Sequence, residues 1–330
     1  MQSDAFASVK NLDNARKLDK PAGGGSRPVP AVVAALARCV SIALRTAPSQ
    51  KPVVTHPIGS YHRHLVSTYL NREPLKTISL SKYLHGYPQD TQAFHVRGQR
   101  GEAVLVLLRV SASAYDRETY PTAGFVCFIA SDDPELTTRL LAHVPRDCRL
   151  VFKLAGEADR VAVAKVFDLR RTTSFLSFTG QGPAGSCEAD LPRPVTGDLS
   201  PEAWSLFEAR GYARDWLMPL LAADSAFVVE ARHEGAAVSV CFAFQNSGDL
   251  WEVGGLSTRP DARRKGHAAR VVCAAFAELE RRGLQGRYVV EETNQPSLQL
   301  ARALGLRHAL TLTHFLTLAP VESGLVPEDA

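Results

Sequence analysis

A short basic segment in the last third of the chain, residues 263–268, has the residue types and spacing of a phosphate-binding loop. It follows a predicted strand over residues 250–257 and leads into a predicted helix over residues 266–281. Backbone N–H groups at the start of a helix attract anions, and the helix dipole adds to that attraction. Gly266 lets a ligand approach the backbone closely, and Ala268 leaves that approach open. Three cationic side chains that can pair with phosphate precede the glycine: Arg263, Arg264 and Lys265.

A second segment, residues 294–306, begins with Asn294, continues as a short predicted helix and ends in Leu-Gly-Leu. Together the two segments resemble the motifs of the GNAT superfamily of acyl-CoA N-acyltransferases. The phosphate loop of that family reads Arg or Gln, two residues, Gly, one residue, then Gly or Ala, and an Asn-led helix follows the next strand. Arg263, Gly266 and Ala268 match the loop pattern, and the two motifs occur in the expected order.

The resemblance covers about residues 200–318. It implies that two central strands separate and that acetyl-CoA, or another acyl-CoA, lies between them as co-substrate. It also implies that the backbone of Leu256 and Thr258 holds the pantetheine arm, and that Asn294 bonds this arm or fixes the adjacent turn. His267 would contribute its backbone N–H, because its imidazole is expected at the surface. The residues expected to bind the co-substrate are Leu256, Ser257, Thr258, Arg263, Arg264, Lys265, Gly266, His267, Ala268 and Asn294.

Acyl transfer to an amine requires a neutral nucleophile, so a base within reach of the thioester is useful. Glu252 is the first candidate, because many GNAT members carry a catalytic Glu on the strand before the phosphate loop; the alternative is a Glu that faces solvent or pairs with an Arg. Glu291 and Glu292 are further candidates for the base or for recognition of a cationic amine. Adjacent strand residues point to opposite faces, so only one of these two should face the cleft. Glu230 is a weaker candidate, and a lone strand histidine such as His314 is more often structural.

The departing CoA thiolate needs a proton, and many GNAT members place a Tyr for this purpose in the helix after the Asn. Ala301 occupies that position here, which is a departure from the family pattern. Some members use a Ser three residues after the Asn, and Ser297 occupies that place. Ser297 is therefore the candidate general acid. It is equally well placed to act as the N-cap of the predicted helix, which begins at this residue.

The two halves of the chain share one order of predicted elements: helices, hairpin, strand, helix, strand, helix and strand. Residues 149–153 resemble residues 287–291, and about twenty residues later Asp168-Leu-Arg-Arg in the first half matches Gly305-Leu-Arg-His in the second. The pattern favours an internal duplication over chance similarity between generic α/β units. We therefore expect the α/β class, with a mixed GNAT-like sheet and two domains that are tandem GNAT-like repeats.

The first repeat is expected to lack an acyl-CoA site. The segment after its central strand, residues 131–135, carries acidic residues and a proline where a phosphate loop needs basic residues and glycine. We expect this half to shape the acceptor pocket or to form a dimer face. The expected boundaries are a flexible leader (1–28), an N-terminal domain (29–180), a Gly-, Pro- and Ser-rich linker (181–199), a catalytic domain (200–320) and a tail (321–330).

The composition fits an ordinary globular protein of 330 residues, with 45% hydrophobic and 22% charged residues. The formal net charge of +4 is too small to predict a nucleic-acid or membrane partner. None of the six cysteines forms a metal-ligand pattern, so no metal is expected and a reducing cytoplasm is favoured. The most apolar stretch, residues 31–43, contains Arg38 and is too short to span a bilayer.

The sequence thus predicts a cytoplasmic N-acetyltransferase that acts on a primary amine of a small molecule, such as an amino acid, amino sugar, polyamine or antibiotic. A protein N-acetyltransferase and a non-catalytic acyl-CoA-binding regulatory protein remain alternatives. A nucleic-acid binder is disfavoured, because no aromatic residues interleave the basic cluster at 259–270. The acceptor and the acyl chain length do not follow from the sequence, and a homodimer is compatible with it.

Overall fold

The computed structural model describes residues 55–57, 60–180 and 191–318, with side-chain positions from residue 65 onward in these ranges. The predicted leader, the predicted helix over residues 30–45 and the tail lie outside the described residues, as does half of the predicted linker. In the described part of the chain, no helix is both long enough and apolar enough to cross a bilayer.

The strands of the described residues belong to one mixed sheet. In chain order they are β1 (Thr55–Pro57), β2 (Thr91–Gly98), β3 (Gly101–Arg109), β4 (Ala123–Ser131), β5 (Arg149–Leu154), β6 (Leu169–Thr179), β7 (Pro194–Val195), β8 (Ala226–His233), β9 (Ala236–Ser247), β10 (Leu250–Thr258), β11 (Gln285–Glu291) and β12 (Arg307–Thr317).

Helices connect these strands. The α-helices are α1 (Ser60–Leu70), α2 (Pro74–Gly86), α3 (Ala114–Thr119), α4 (Pro134–Leu140), α5 (Glu157–Ala164), α6 (Pro201–Glu208), α7 (Arg214–Ala222), α8 (His267–Arg281) and α9 (Gln295–Ala303). The elements predicted within these ranges are confirmed to within a few residues, and the mixed α/β class is correct. Two helices were not predicted, namely α2 and α3.

The order of strands shows that the last strand of each half joins the sheet beside the other half. The order is β1-β2-β3-β4-β5-β12-β6-β11-β10-β9-β8-β7. Strand β12 lies between β5 and β6, and β6 pairs with β11 as well as with β12. If β1 to β6 are exchanged with β7 to β12, in that order, the result is the same strand order read from the opposite edge, so the sheet has an approximate twofold symmetry.

The twofold axis passes between β6 and β12. Thr173 pairs with His314 and Phe175 pairs with Leu312, so Ser174 and Thr313 lie opposite each other at the centre. Their hydroxyl oxygens are 2.9 Å apart and form a hydrogen bond. The two halves are therefore joined through an antiparallel strand pair with side-chain contacts at its midpoint.

The helices divide between the two faces of the sheet. Face 1 is covered by α1, α2 and α3 in the first half and by α6 and α7 in the second, where Phe207 and Leu217 pack against Phe242. Face 2 is covered by α4, α5, α8 and α9, and α8 packs residues such as Val271 and Leu279 on it. Each such aliphatic side chain stabilises the fold by about 1.5–3 kcal/mol through burial.

A buried polar cluster lies on face 1 where the halves meet. The Tyr120 hydroxyl is 2.8 Å from Nδ1 of His314, and the Lys153 ammonium is 2.7 Å from the Asp116 carboxylate. Lys153 and Asp116 are both buried and lie on β5 and α3, whereas His314 lies on β12. Complete burial, together with the charge of Lys153, lowers the pKa of His314 well below its usual value, so this histidine is neutral in the folded protein.

Acid should destabilise the protein through His314. The unfolded state binds a proton at His314 below about pH 6.5, whereas the folded state does not, so this stability is present above that pH and is lost as the pH falls. We expect a loss of about 1.4 kcal/mol at pH 5.5 from this group alone. Urea denaturation at pH 7.5 and pH 5.5 measures this loss. The free energy of unfolding should differ less between the two pH values in His314→Gln, by that amount, whereas the exposed control His308→Gln should show the same difference as the wild type.

Candidate functional site

Strands β10 and β11 are parallel and separate from each other halfway along their length. They pair from Leu250 opposite Gln285 to Val253 opposite Tyr288, and not beyond. After that point β10 remains paired with β9, and β11 remains paired with β6 as far as Glu291. The gap therefore has one free strand edge on each side.

A bulge in β10 marks the start of this gap. The pairing register with β9 shifts between Gly254 and Ser257, and Gly255 has a φ of +63°. A Cβ atom at Gly255 would overlap the ring of Phe242, so only glycine fits there. The Tyr212 hydroxyl bonds the Gly255 backbone, and burial raises the pKa of Tyr212. Tyr212 thus holds the bulge in place.

The three residues of β10 that are predicted to bind the co-substrate lie at this free edge. Leu256 and Thr258 are partly exposed and Ser257 is buried. The hydroxyl of Ser239, on β9, is 3.2 Å from the Ser257 carbonyl oxygen and 2.8 Å from the Thr258 hydroxyl, which fixes the strand on its paired side. The side of β10 that faces the gap has no strand partner in the described residues beyond Val253, so an extended ligand has backbone groups to bond there.

The predicted phosphate loop ends in a helix terminus without a side-chain cap. Gly266 is the N-cap of α8 with a φ of +82°, and the first bond within the helix runs from the Arg270 N–H to the Gly266 carbonyl oxygen. The preceding N–H groups of the first turn therefore point out of the helix end. Arg264 also has a left-handed φ, of +63°, as in the backbone nests that bind anions.

Two further observations describe the surroundings of this loop. A Cβ atom at Gly266 would meet nothing within 4 Å, so the surface above the glycine is open. Nδ1 of His267 is buried and has no hydrogen-bond partner among the described residues. Partial burial and the nearby His233, Arg270 and Lys265 lower the pKa of His267, so its ring is neutral and can offer a hydrogen bond rather than a charge.

The cationic side chains of the loop are largely exposed. Arg263, Arg264 and Lys265 are exposed, and Nε of Arg263 donates to the Thr258 carbonyl oxygen at 3.3 Å. Ala268, in the first turn of α8, is partly exposed. The structure thus brings the predicted loop residues together at the open end of the gap.

In its described residues, the first half of the chain has neither a comparable gap between its central parallel strands nor an uncapped N-terminus at α4, the α-helix that connects them. Strands β4 and β5 pair as far as Phe128 opposite Lys153, and β5 ends one residue later. The N-terminus of α4 is capped by its own acid, because the Asp133 carboxylate accepts the Glu135 N–H at 2.8 Å. The neighbouring Asp132 carboxylate accepts the Glu102 N–H at 2.9 Å. These carboxylates occupy the place that an anion would need.

On the other side of the gap, the N-cap of the helix is Asn294 and not Ser297. Helix α9 begins at Gln295, and the Asn294 side-chain oxygen accepts the Ser297 N–H at 3.2 Å. The interpretation of Ser297 as the N-cap is therefore wrong. Its hydroxyl instead bonds the hydroxyl of Tyr288, and burial raises the pKa of Tyr288 to about 12.

Glu252, the first candidate for the base, is held in an ion pair. Its carboxylate is 2.6 Å from the guanidinium of Arg287, which is 3% exposed and lies opposite on β11. The same oxygen accepts a hydrogen bond from the Asn246 amide at 2.7 Å. Both contacts are made by the same oxygen, Oε2, so Glu252 is anchored to β11 and to β9.

Glu292 and Glu230 are also held in ion pairs. The Glu292 carboxylate pairs with Arg171 and accepts the Ser174 N–H at 3.0 Å, which ties the end of β11 to β6. Glu230 lies on β8 and pairs with Arg232 at 2.8 Å, beside a separate cavity of about 430 Å³. The structure does not bring Glu230 to the gap between β10 and β11.

Glu291 differs from the other three carboxylates. It is partly exposed at the end of β11, and its closest described partner is the Thr173 hydroxyl, at 3.2 Å. No Lys, Arg or His in the described part of the chain lies within ion-pair distance of it. Burial raises the pKa of Tyr115 and that of Tyr120, the latter to about 12, and the negative charge of Glu291 adds a smaller increase to each. Glu291 is thus the carboxylate beside the gap that has no ion pair among the described residues.

Sequence reasoning missed four residues of this site: Tyr212, Asn246, Arg287 and Tyr288. Two of them act through contacts between segments that are distant in the chain, namely Tyr212 with Gly255 and Arg287 with Glu252. Glu252 and Arg287 are 35 positions apart and meet only because of the register of β10 and β11. No local motif marks such a pair, so the sequence offered no signal for it.

The Glu252–Arg287 pair should act mainly on stability. Glu252→Gln removes the counter-charge of a buried guanidinium, and we expect a loss of about 2 kcal/mol in the free energy of unfolding. Urea denaturation measures this loss. The double variant Glu252→Gln, Arg287→Met should recover a large part of it, and the exposed control Glu280→Gln should match the wild type. Unchanged stability in Glu252→Gln would contradict the structural role.

Comparison with known proteins agrees with this geometry. Residues 195–306 match the model of the acetyltransferase (GNAT) family. An acetyltransferase of the GNAT family from Colwellia psychrerythraea has a similar fold, with 12% identity, a TM-score of 0.52, and coverage of 80% of this chain and 99% of that one. A tandem GNAT protein from the clavulanic acid biosynthesis pathway aligns with 12% identity and a TM-score of 0.45 over 80% and 98% of the two chains. No curated protein sequence matches the chain significantly.

Residues 195–306 of this chain therefore form a domain of the GNAT acetyltransferase family, and the mixed sheet has a GNAT-type fold.

Proposed function

We propose that the protein is an N-acetyltransferase that moves the acetyl group of acetyl-CoA to a primary amine of a small molecule. The observation that supports this most strongly is the gap between β10 and β11, which ends at the uncapped first turn of α8. An extended pantetheine arm fits along the free edge of β10. The pyrophosphate fits on the N–H groups above Gly266.

The proposed reaction is a direct attack. The amine nitrogen forms a bond to the thioester carbonyl carbon, the carbon–sulfur bond breaks, and the sulfur leaves with its electron pair. The ammonium substrate must first lose a proton, and this proton passes to a carboxylate and then to solvent. The products are an amide and CoA, which takes up a proton as the thiol.

We assign the base to Glu291. Glu252 was favoured by the sequence, but its carboxylate pairs with Arg287 and bonds Asn246, whereas the Glu291 carboxylate has no ion pair among the described residues and accepts a hydrogen bond from the Thr173 hydroxyl. Glu291 also follows the last paired position of β11 with β10, so it lies beside the gap. An available carboxylate at that place can bind an ammonium group and accept its proton.

Ser297 is the proposed donor to the CoA sulfur. Its hydroxyl lies in the first turn of α9 and bonds the Tyr288 hydroxyl. Many GNAT members carry a tyrosine where this chain has Ala301. Tyr288 replaces that tyrosine in part, because it lies on the strand below the helix and supports the proton donor Ser297 through a hydrogen bond. Ala301 is fully buried in the same apolar cluster as Tyr288, which leaves room for this arrangement.

We also propose that the chain consists of two GNAT-like repeats, over residues 29–180 and 200–320, joined by a linker at 181–199. The approximate twofold symmetry of the sheet and the self-paired Ser174 and Thr313 support the duplication. The paired β4 and β5 and the acid-capped α4 support an assignment of acetyl-CoA binding to the second repeat alone. Helix α2 of the first repeat contacts β9, so the first repeat borders the acceptor side of the site.

The rival function is an acyl-CoA-binding regulatory protein. Ala301 favours it, because the position that many GNAT members use for a proton donor carries no hydroxyl. Release of CoA thiol discriminates the two functions. We expect the purified protein to release CoA from acetyl-CoA when a small primary amine is present, and not with acetyl-CoA alone.

The assay uses a thiol reagent, a panel of small amines and a lysine-containing peptide, with mass detection of the amide. Turnover of small amines only would support the proposal, and turnover of the peptide only would favour a protein acetyltransferase. Tight acetyl-CoA binding without turnover of any acceptor would favour the regulatory function.

A further inference from the structure

Three side chains form a row across the centre of face 1, beside the proposed site. Glu291 on β11 pairs with Phe175 on β6, and Phe175 pairs with Leu312 on β12. Side chains at paired positions of neighbouring strands lie on the same face and touch one another. The row therefore begins with a carboxylate and continues as an aromatic and then an aliphatic side chain.

The row lies on face 1 because of its contacts with α3. The ring of Tyr115, on α3, meets the ring of Phe175 edge-to-face, with centroids 6.2 Å apart. Phe175 is buried, whereas Leu312 and Glu291 are partly exposed, so part of the row is open to a ligand. Tyr115 is partly exposed as well and borders the row on its α3 side.

Helix α3 has no counterpart in the second half, where β9 leads directly through a turn to β10. It is anchored firmly on face 1. The Tyr120 hydroxyl, just after α3, lies 3.1 Å from the Thr172 hydroxyl and 2.8 Å from Nδ1 of His314. Inside the helix, the buried Asp116 carboxylate lies 2.7 Å from the Lys153 ammonium. The first repeat thus contributes a rigid aromatic wall to the site of the second.

The charges around the row select for one kind of acceptor. Lys153 is neutralised by Asp116 and Arg287 by Glu252, so both of these buried cations are already paired with carboxylates. Beside the row, the Glu291 carboxylate has no ion pair among the described residues and accepts a hydrogen bond from the Thr173 hydroxyl. A ligand with one ammonium group and an apolar body matches this pattern.

We propose that the acceptor is a primary amine carried on an aromatic or branched aliphatic group. This inference rests on the proposed function and names the substrate class of the same site. The ammonium group binds Glu291, and the apolar body lies on Leu312, Phe175 and the Tyr115 wall. Its nitrogen loses a proton to Glu291 and then attacks the thioester carbonyl, from which CoA departs as the thiol.

The same contacts disfavour the other classes of small amine. The hydroxyl groups of an amino sugar would lie against apolar side chains and lose hydrogen bonds to water. A polyamine would bring at least one further ammonium group for which the row holds no second carboxylate. The carboxylate of an amino acid would lie near Glu291, while the buried Lys153 and Arg287 are already paired.

The test compares 2-phenylethylamine and isoamylamine with glucosamine and spermidine as acceptors, by release of CoA from acetyl-CoA. We expect kcat/KM at least tenfold higher for the two apolar amines. Leu312→Ser should raise the KM for 2-phenylethylamine about tenfold with little change in kcat. The matched control is Leu176→Ser, a partly exposed leucine on β6 that faces the opposite side of the sheet; its KM should stay within twofold of the wild type.

Direct binding of 2-phenylethylamine, measured by calorimetry with the full chain, separates this inference from the proposed function. Turnover that prefers glucosamine or spermidine would overturn the inference and leave the acetyltransferase function in place. Binding of 2-phenylethylamine that Leu312→Ser weakens, without turnover of any amine, would support the site and overturn the function. Absence of 2-phenylethylamine binding would overturn the inference.

Discussion

Gly266→Glu should abolish the thermal stabilisation of the protein by acetyl-CoA. Gly266 is the N-cap of α8, and the space above it is open, so a glutamate side chain there enters the region proposed for the pyrophosphate. Its negative charge repels the phosphate, and its bulk covers the N–H groups of the first turn. We expect the affinity for acetyl-CoA to fall at least 100-fold.

The measurement is a thermal-shift titration. A ligand that binds only the folded protein stabilises it by about 2.7 kcal/mol at 100 times its dissociation constant, so the wild type should show a clear shift and Gly266→Glu none at the same concentration. Gly283→Glu is the matched control. Gly283 follows the other end of α8, has a φ of +70°, and a Cβ atom there also meets nothing within 4 Å.

Both substitutions introduce the same strain and the same charge, but only one of them lies at the proposed loop. If acetyl-CoA raised the unfolding temperature equally in the wild type and in Gly266→Glu, the proposal that the co-substrate binds at the N-terminus of α8 would be wrong. A lost shift in both variants would show that the cause is loss of folded protein, which the unfolding temperatures without ligand report independently.

Glu291→Gln should lower kcat about 1000-fold with acetyl-CoA and an accepted amine. General-base catalysis contributes about 100- to 10000-fold in enzymes, and the amide of glutamine cannot take up the proton of the ammonium group. Glu291 is partly exposed and has no ion pair among the described residues, so the variant should keep the stability of the wild type. The rate of CoA release under saturating acetyl-CoA measures the effect.

Glu292→Gln is the control for this prediction, because Glu292 is the next residue and has the same side chain. Its carboxylate pairs with Arg171 and bonds the Ser174 N–H, so it does not serve the gap. We expect kcat within about threefold of the wild type. A full loss of activity in Glu252→Gln, with Glu291→Gln active and both variants folded, would return the role of base to Glu252.

The sequence by itself determined the local features of the site. The order of residues in the phosphate loop and the Asn-led segment follow from short-range pattern, and both lie where the sequence placed them. Most strands and helices also follow from local periodicity, because one face of each is apolar. Asn294 could be expected to fix a turn, whereas the assignment of the helix cap to Ser297 failed because the helix begins two residues earlier than the apolar pattern indicates.

The two helices that were not predicted, α2 and α3, have no periodic pattern of apolar residues that would mark them in the sequence. Helix α2 buries residues all around its circumference, including Thr77, Ser79, Leu80, Ser81 and Leu84, because it contacts both β4 and β9. Such a helix has no polar face and hence no periodic signal of the kind that marks a surface helix. Helix α3 has six residues, too few for a period to be recognised.

The tertiary structure alone decided which carboxylate is available. Glu252, Glu291 and Glu292 are the same residue type on, or directly after, two adjacent strands. Only the strand register places Arg287 beside Glu252 and Arg171 beside Glu292. The exchange of β6 and β12 between the halves likewise places Phe175 and Leu312 beside Glu291. Pairing between distant segments depends on the energy of the whole sheet. The local sequence therefore determines the loop proposed for acetyl-CoA, whereas the assembled sheet forms the surface proposed for the amine.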